Sequence, residues 1–241
     1  MKLIQNNKDN ITGFSVVEGT DFGVDEDNKK AMGYQHHDAL WWGGVDKVEA
    51  SRPKTMDFDQ TMNWFKSMFA YVARQTLDVY NPDSLLELGC GSGLMSRIFK
   101  RYKPDMVVAT VDANQVVKEK SPYVGENHFL ARSDKKLDIT DEDGKRKFFD
   151  VVISLEHFEH IPPETCDTMM ENIRDHTQPG AHLIFTAAEW EYEDDQNHIH
   201  CNAQTEEYWQ DYVVKFGFEV IENPFTIGRA GDTWEVFARR V

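Results

Sequence analysis

The segment Glu156-His157-Phe158-Glu159-His160 puts two carboxylates and two imidazoles into one short stretch. Such groups are costly to place unless they face a pocket or each other. On a helix, Glu156, Glu159 and His160 stand at i, i+3 and i+4 and share one face, with His157 off it. Three uses are open. Converging carboxylates and imidazoles can hold a metal ion. His160 or His157 can serve as a general base toward a hydroxyl. In the third, Glu156 bonds loop backbone and His160 packs beneath a ligand.

A second group lies upstream. Leu85-Leu86-Glu87-Leu88 is an apolar run with one acid, and Gly89, Gly91 and Gly93 alternate after it, with Cys90 between. Glycine tolerates positive φ and lets a ligand lie against bare backbone. A helix starting after the turn offers unpaired N–H groups to that ligand. Glu87 can accept from a cofactor amine or from loop N–H groups. Asp112 stands about twenty residues on, where a carboxylate can take both hydroxyls of a ribose. The dinucleotide fingerprint G-x-G-x-x-G is incomplete, because its third glycine would fall on Leu94. Glu87 would also repel a pyrophosphate. A cationic nucleoside without phosphate fits the turn better.

These residues need a scaffold, and the chain alternates strand and helix signals. Helical spacing of Met62, Phe65, Met68, Phe69 and Val72 marks a helix over 57–77. Strand one is 84–88 with a helix over 92–102. Strand two is 106–111, followed by a short helix over 114–119. Strand three lies within 128–139. Strand four, 149–155, is mostly apolar and so central. A helix over 163–174, strand five at 182–186 and a helix over 205–216 follow. Strands at 218–221 and 233–238 have no helix between them and form a hairpin. The expected fold is α/β: a Rossmann-like, seven-stranded, mostly parallel sheet with an antiparallel C-terminal strand and helices on both faces. Residues 1–55 form an N-terminal extension and 56–241 the main domain.

At 241 residues, 40% of them hydrophobic, the chain can bury one sizeable core. Its formal charge of −16 and pI near 4.9 argue against a nucleic-acid partner, which needs clustered Lys and Arg. The largest basic run, Lys145-Arg146-Lys147, reads as a solvated loop. Cys90, Cys166 and Cys201 are sparse and form no CxxC, as in a reducing compartment. No signal-peptide core and no membrane-length apolar run is present. The expectation is a cytoplasmic protein acting on a small molecule.

The pattern Glu87-x-Gly89-x-Gly91-x-Gly93, Asp112 after strand two and Phe149-Asp150-Val151-Val152 opening strand four resembles class I S-adenosylmethionine-dependent methyltransferases over roughly residues 60–241. The resemblance implies S-adenosylmethionine as cofactor. Gly89 and Gly91 would pass near its methionine part and Asp112 would hold its ribose. An acid after strand three would meet the adenine amine: Asp138, followed by Ile139, with Asp134 as rival. The implied cofactor-lining set is Glu87, Gly89, Cys90, Gly91, Asp112, Ala113, Asp138, Ile139 and Leu155, with Cys90 a small packing residue.

The spacing Glu156-x-x-Glu159-His160 resembles that of metal-assisted O-methyltransferases of the ubiquinone-pathway and small-RNA 2′-O-methyltransferase type. That resemblance implies a further histidine ligand after strand five, before a helix opening with Thr or Ser. His200, ahead of Thr205, fits, and His198 is second choice. Glu156, Glu159, His160 and His200 would suit Mg²⁺, Mn²⁺ or Zn²⁺. The implied reaction is O-methylation of a small hydroxylated metabolite. Other readings are an RNA 2′-O-methyltransferase, a nicotinamide-dependent oxidoreductase sharing the turn and the ribose acid, and a non-catalytic binding protein on the same fold. Two aromatic or acidic segments, Tyr34–Trp42 and Trp190–His198, are candidate pocket walls. In the first, Trp41 and Trp42 could stack on a substrate and His36 and His37 could contact its hydroxyls.

Overall fold

The computed structural model describes residues 1–6, 16–17, 21–22, 58–114, 118, 121, 123–189, 200–227 and 233–241. The strands are β1 (Ile4–Gln5), β2 (Val16–Val17), β3 (Asp21–Phe22), β4 (Ser84–Leu88), β5 (Val107–Asp112), β6 (His128–Leu130), β7 (Ile139–Thr140), β8 (Val151–Ser154), β9 (His182–Ala188), β10 (Phe218–Val220) and β11 (Thr233–Arg240). The helices are α1 (Phe58–Tyr80), α2 (Leu94–Tyr102), α3 (Pro163–Asp175) and α4 (Glu206–Lys215). A 3-10 turn covers Phe158–His160.

Seven strands form one sheet in the order β10-β11-β9-β8-β4-β5-β6. β6, β5, β4, β8 and β9 run parallel, and β11 is antiparallel to both β9 and β10. This is the expected fold class. The two-residue alternation of β4 sends Leu85 to one face and Leu86 and Leu88 to the other. Leu85 joins Val72, Ala73, Met95 and Phe99 from α1 and α2. Leu86 and Leu88 join Met169, Met170, Ile173, Trp209 and Val213 from α3 and α4. Covering both faces buries all five residues of β4, the acid Glu87 included.

The entry to the sheet is tied by Asp150, whose Oδ2 accepts from the Asp83 N–H at 2.8 Å and from the Ser84 N–H and hydroxyl at 2.9 Å each. That carboxylate holds the start of β4 beside the start of β8, so both strands end together at the opposite edge. The chain order reverses across β4, with β5 on one side and β8 on the other. In open α/β sheets the carboxyl ends of strands at such a reversal form the ligand crevice.

Strand three lies within the expected range 128–139 but is short. Only His128–Leu130 joins the large sheet, while Ile139–Thr140 pairs antiparallel with Ile4–Gln5 in a separate two-stranded sheet. The turn and helix of 92–102 are also shifted: Gly93 is left-handed at φ 74°, so α2 begins at Leu94. The short helix expected over 114–119 falls mostly outside the described residues, as do Tyr34–Trp42 and Trp190–His198. Among the described residues no helix is long and apolar enough to cross a membrane.

Candidate functional site

The glycine turn follows β4 at the carboxyl edge. Gly89 N–H and Cys90 N–H donate to the Val111 carbonyl at 2.9 and 3.2 Å, which folds the turn over the end of β5. The Gly91 N–H donates to Asp112 Oδ2 and the Asn114 N–H to Oδ1, each at 2.8 Å. Asp112 thus leaves β5 with its carboxylate fixed at the rim, beside Ala113. Burial pushes its pKa up to about 6, against the two N–H groups that favour the charge.

Gly89 is required twice over. Its φ is +64°, and a Cβ there would lie 2.4 Å from Cγ of His157. The His157 ring therefore packs directly against the turn. Its Nε2 shares a 2.7 Å hydrogen bond with the Ser133 hydroxyl, and burial lowers its pKa to about 4. One neutral imidazole thereby joins the loops that follow β4, β6 and β8. His157, read from the sequence as a candidate base toward an acceptor, is 5% exposed and packs under the turn.

Glu87 sits below the turn, 4% exposed, and accepts from the hydroxyl of Ser96 in the first turn of α2. Burial raises its pKa to about 8, so it is largely protonated at neutral pH. It ties the end of β4 to the helix start. A stability consequence follows. An unfolded Glu87 ionises near 4.5, whereas the folded one holds its proton until about 8. Folding stability therefore falls as pH rises between those values, because the folded state binds more protons. Glu87→Gln removes that term. Its urea midpoint relative to wild type is expected to be higher at pH 8.5 than at pH 5; a difference that does not change with pH contradicts the assignment.

The adenine-side acid is a correction. Asp138 is not at the carboxyl edge of the large sheet, because the strand it precedes pairs with β1. It accepts from Asn6 Nδ2 at 3.2 Å and lies 3.6 Å from Arg146. Ile139 is fully buried and donates its N–H to Nε2 of His176 at 3.0 Å. The rival, Asp134, is 1% exposed and enclosed by the guanidinium of Arg132 and the Thr165 hydroxyl. The residues that do follow β6 at the rim are Ala131, Arg132 and Ser133, which sequence reasoning missed. The signal available was Phe129-Leu130 ending in polar residues, shorter than a usual strand.

Beyond β8, the backbone is not helical until the 3-10 turn. Leu155 is half-buried, Glu156 is left-handed at φ +50° and His157 has φ −135°. The expected i, i+3, i+4 helical face therefore does not form. Glu159, His160 and His200 do converge: one ligand atom from each lies within 4.8 Å of the others. The rings of His160 and His200 are 4.9 Å apart, edge to face. The Asn202 N–H donates to the Glu159 carbonyl at 2.9 Å, which brings the His200 loop onto the 3-10 turn. Thr205 caps α4 by accepting from the Tyr208 N–H at 3.2 Å, fixing the far end of that loop. His198 lies outside the described residues. One carboxylate and two imidazoles are a donor set that fits Zn²⁺ or Mn²⁺.

A family model described as a methyltransferase domain matches residues 62–223. Among solved structures the chain is similar to a mitomycin 7-O-methyltransferase, at TM-score 0.56 and 13% identity over 76% of this chain; it spans 56% of that longer chain. It is also similar to the N-methyltransferase NodS of Bradyrhizobium japonicum WM9, at TM-score 0.53 and 15% identity, covering 77% of this chain and 99% of that one. A third is the magnesium protoporphyrin IX methyltransferase of Synechocystis PCC 6803 with bound S-adenosylmethionine, at TM-score 0.54 and 15% identity, covering 79% and 87%. At these identities the likeness is one of fold. No curated protein sequence matches the chain.

Proposed function

Because the chain belongs to the methyltransferase-domain family and is an S-adenosylmethionine-dependent enzyme, we propose that it methylates an oxygen of a small hydroxylated metabolite with the help of a divalent metal. The observation that carries the oxygen and the metal is the convergence of Glu159, His160 and His200 beyond the carboxyl end of β8. A charge of −16 supports a small acceptor over RNA.

In this reading, the Asp112 carboxylate accepts the ribose hydroxyls while the bonds it accepts from the Gly91 and Asn114 N–H groups keep the glycine turn in place. The bare turn at Gly89–Gly91 lets the methionine part lie over β4. Transfer is an in-line displacement: the carbon–sulfur bond breaks as the carbon–oxygen bond forms, and the hydroxyl proton leaves to a base. The sulfonium becomes a neutral thioether, so a water-poor pocket favours the change. A metal held by Glu159, His160 and His200 would lower the pKa of the acceptor hydroxyl. The protein's own contribution is alignment of oxygen, methyl carbon and sulfur.

The test uses protein purified without chelator, its metal content, and transfer of tritiated methyl from S-adenosylmethionine to a panel of hydroxylated small molecules. His200→Ala is expected to lose the metal and to transfer no faster than chelator-treated wild type. Stoichiometric metal in the variant, or chelator-resistant wild-type transfer, contradicts the metal assignment.

A further inference from the structure

We infer that the outer edge of β6 is a docking site for one extended segment of a partner protein, with apolar and acidic residues alternating along it. The place is not the glycine turn, and the inference rests on no reading of the methyl acceptor or the metal.

β6 is the last strand of the large sheet, and among the described residues no strand pairs with its outer edge. Its register says which main-chain groups face outward. The Thr110 N–H donates to the Asn127 carbonyl at 3.1 Å, and the Ala131 N–H to the Asp112 carbonyl at 3.0 Å. Main-chain groups alternate sides along a strand, so residues 127, 129 and 131 serve β5 and Leu130 turns its N–H and carbonyl away from it. β1 is placed the same way. The Asn6 N–H donates to the Asp138 carbonyl at 3.0 Å, beside β7, so Leu3 turns to the other side. Between these two edges lies a cavity of about 480 Å³, lined by residues 2–5 on one side and 128–130 on the other.

A side chain already makes the first rung of such a slot. The Leu3 N–H donates to Asn127 Oδ1 at 2.9 Å, and Asn127 Nδ2 donates to the Met1 carbonyl at 3.2 Å. An amide that takes the N–H of one residue and gives to the carbonyl two residues earlier makes the bonds of a neighbour in a parallel ladder. The Asn127 carboxamide thus stands in for one peptide group, and the cavity opens beyond it. Its walls choose the side chains. Leu3 and Phe129 are buried and Ile4 is 41% exposed, an apolar floor for every second residue of an occupant. Lys2 and Lys118 are exposed at the same cavity, against one acid, Glu142. His128 adds no charge at neutral pH, because burial lowers its pKa to about 4. Two ammonium groups against one carboxylate reverse the sign of a chain whose formal charge is −16. That local reversal favours acidic residues in the positions between the apolar ones.

The experiment uses the full chain labelled with ¹⁵N and three synthetic peptides. They are acetyl-Glu-Val-Asp-Val-Glu-amide, the same peptide N-methylated throughout its backbone, and acetyl-Lys-Val-Lys-Val-Lys-amide. Chemical-shift titration gives affinity, and amide exchange reports the strand edge. In the free protein the Leu130 amide is expected to exchange at least about 10-fold faster than that of Phe129, whose N–H serves β5. The acidic peptide is expected to bind at about 10–100 µM and to slow Leu130 exchange by about 10-fold or more. The N-methylated peptide cannot donate to the edge and is expected not to bind, and the basic peptide to bind about 10-fold more weakly. Lys118→Glu is expected to weaken the acidic peptide by about 3–10-fold and, as an exposed substitution, to melt within about 2 °C of wild type. A Leu130 amide already protected in the free protein overturns the inference, because the chain's own residues then fill the slot. So does unchanged Leu130 exchange with the acidic peptide, equal binding of the acidic and basic peptides, or binding that survives N-methylation.

Discussion

Asp112→Ala is expected to weaken binding of S-adenosylmethionine by about 10²–10⁴-fold, since two charge-assisted hydrogen bonds to ribose hydroxyls are worth about 3–6 kcal/mol together. The substitution acts in two ways. It removes the acceptor for the ribose, and it frees the Gly91 and Asn114 N–H groups that now hold the turn at 2.8 Å. Both effects point the same way, because a loosened turn must be reordered when ligand binds. Asp112→Asn separates them: its amide oxygen can still accept from one N–H, but it no longer matches two hydroxyls and two N–H groups. A pH series adds an independent arm. Burial holds the Asp112 pKa near 6, so its charge is partly lost in mildly acidic solution. Affinity for the cationic cofactor is expected to rise between pH 5 and 7 in wild type and to rise less in Asp112→Asn. Titration calorimetry reads both. Wild-type affinity in Asp112→Ala removes the ribose assignment.

The second large effect is expected at Gly89. An alanine there must adopt φ +64° and place its methyl 2.4 Å from the His157 ring. A left-handed non-glycine residue costs about 1–2 kcal/mol, and overpacking adds about 1–3 kcal/mol. For a chain of this size, each kcal/mol lowers the melting temperature by about 2–4 °C. Gly89→Ala is therefore expected to melt about 5–15 °C lower and to lose cofactor binding, because either the turn or the ring must move. The clash term belongs to a pair, so it can be isolated. In Gly89→Ala with His157→Ala the two closest ring contacts are gone, and the backbone term remains together with a 2.9 Å approach to the Cβ of residue 157. The double variant is expected to be more stable than the sum of the two single losses predicts. Additive losses contradict the packing of His157 against the turn.

Much of the frame was readable because its signals are local. A buried run breaking into glycines and then a periodic segment specify strand, turn and helix within twenty or so residues, and β4 spans Ser84–Leu88 as expected. β9, α3 and α4 likewise lie close to their predicted limits, since each carries its own apolar pattern and end signals. What could not be read depends on distant partners. Ile139–Thr140 has strand character, but it pairs with Ile4–Gln5, far away in the chain, and not with the large sheet. That pairing is what removes Asp138 from the rim. β6 contributes only three residues to the sheet edge, too few for a pattern of alternation.

The site shows the same division. Asp112 and the glycines stand where strand ends put them. Glu156, Glu159 and His160 carry helix spacing, yet the left-handed turn at Glu156 breaks the register before the 3-10 turn begins. A single backbone torsion of that kind leaves no mark in residue type. His200 reaches Glu159 and His160 through a loop closed by the Asn202 backbone bond, some forty residues later in the chain; its place ahead of Thr205 favours it over His198 through the resemblance and not through any local pattern of its own. The contact between His157 and Gly89 was equally hidden, although a glycine that cannot be anything else is often one against which a neighbour packs.

The central claim is that the turn after β4 and the carboxylate ending β5 together hold S-adenosylmethionine. A crystal structure with S-adenosylhomocysteine bound tests it most directly. The account predicts ribose hydroxyls about 2.6–3.2 Å from both oxygens of Asp112, with the homocysteine part crossing the Gly89–Gly91 backbone and its sulfur facing the Glu156 side of β8. A ligand bound elsewhere, or a ribose with no contact to Asp112, would contradict it.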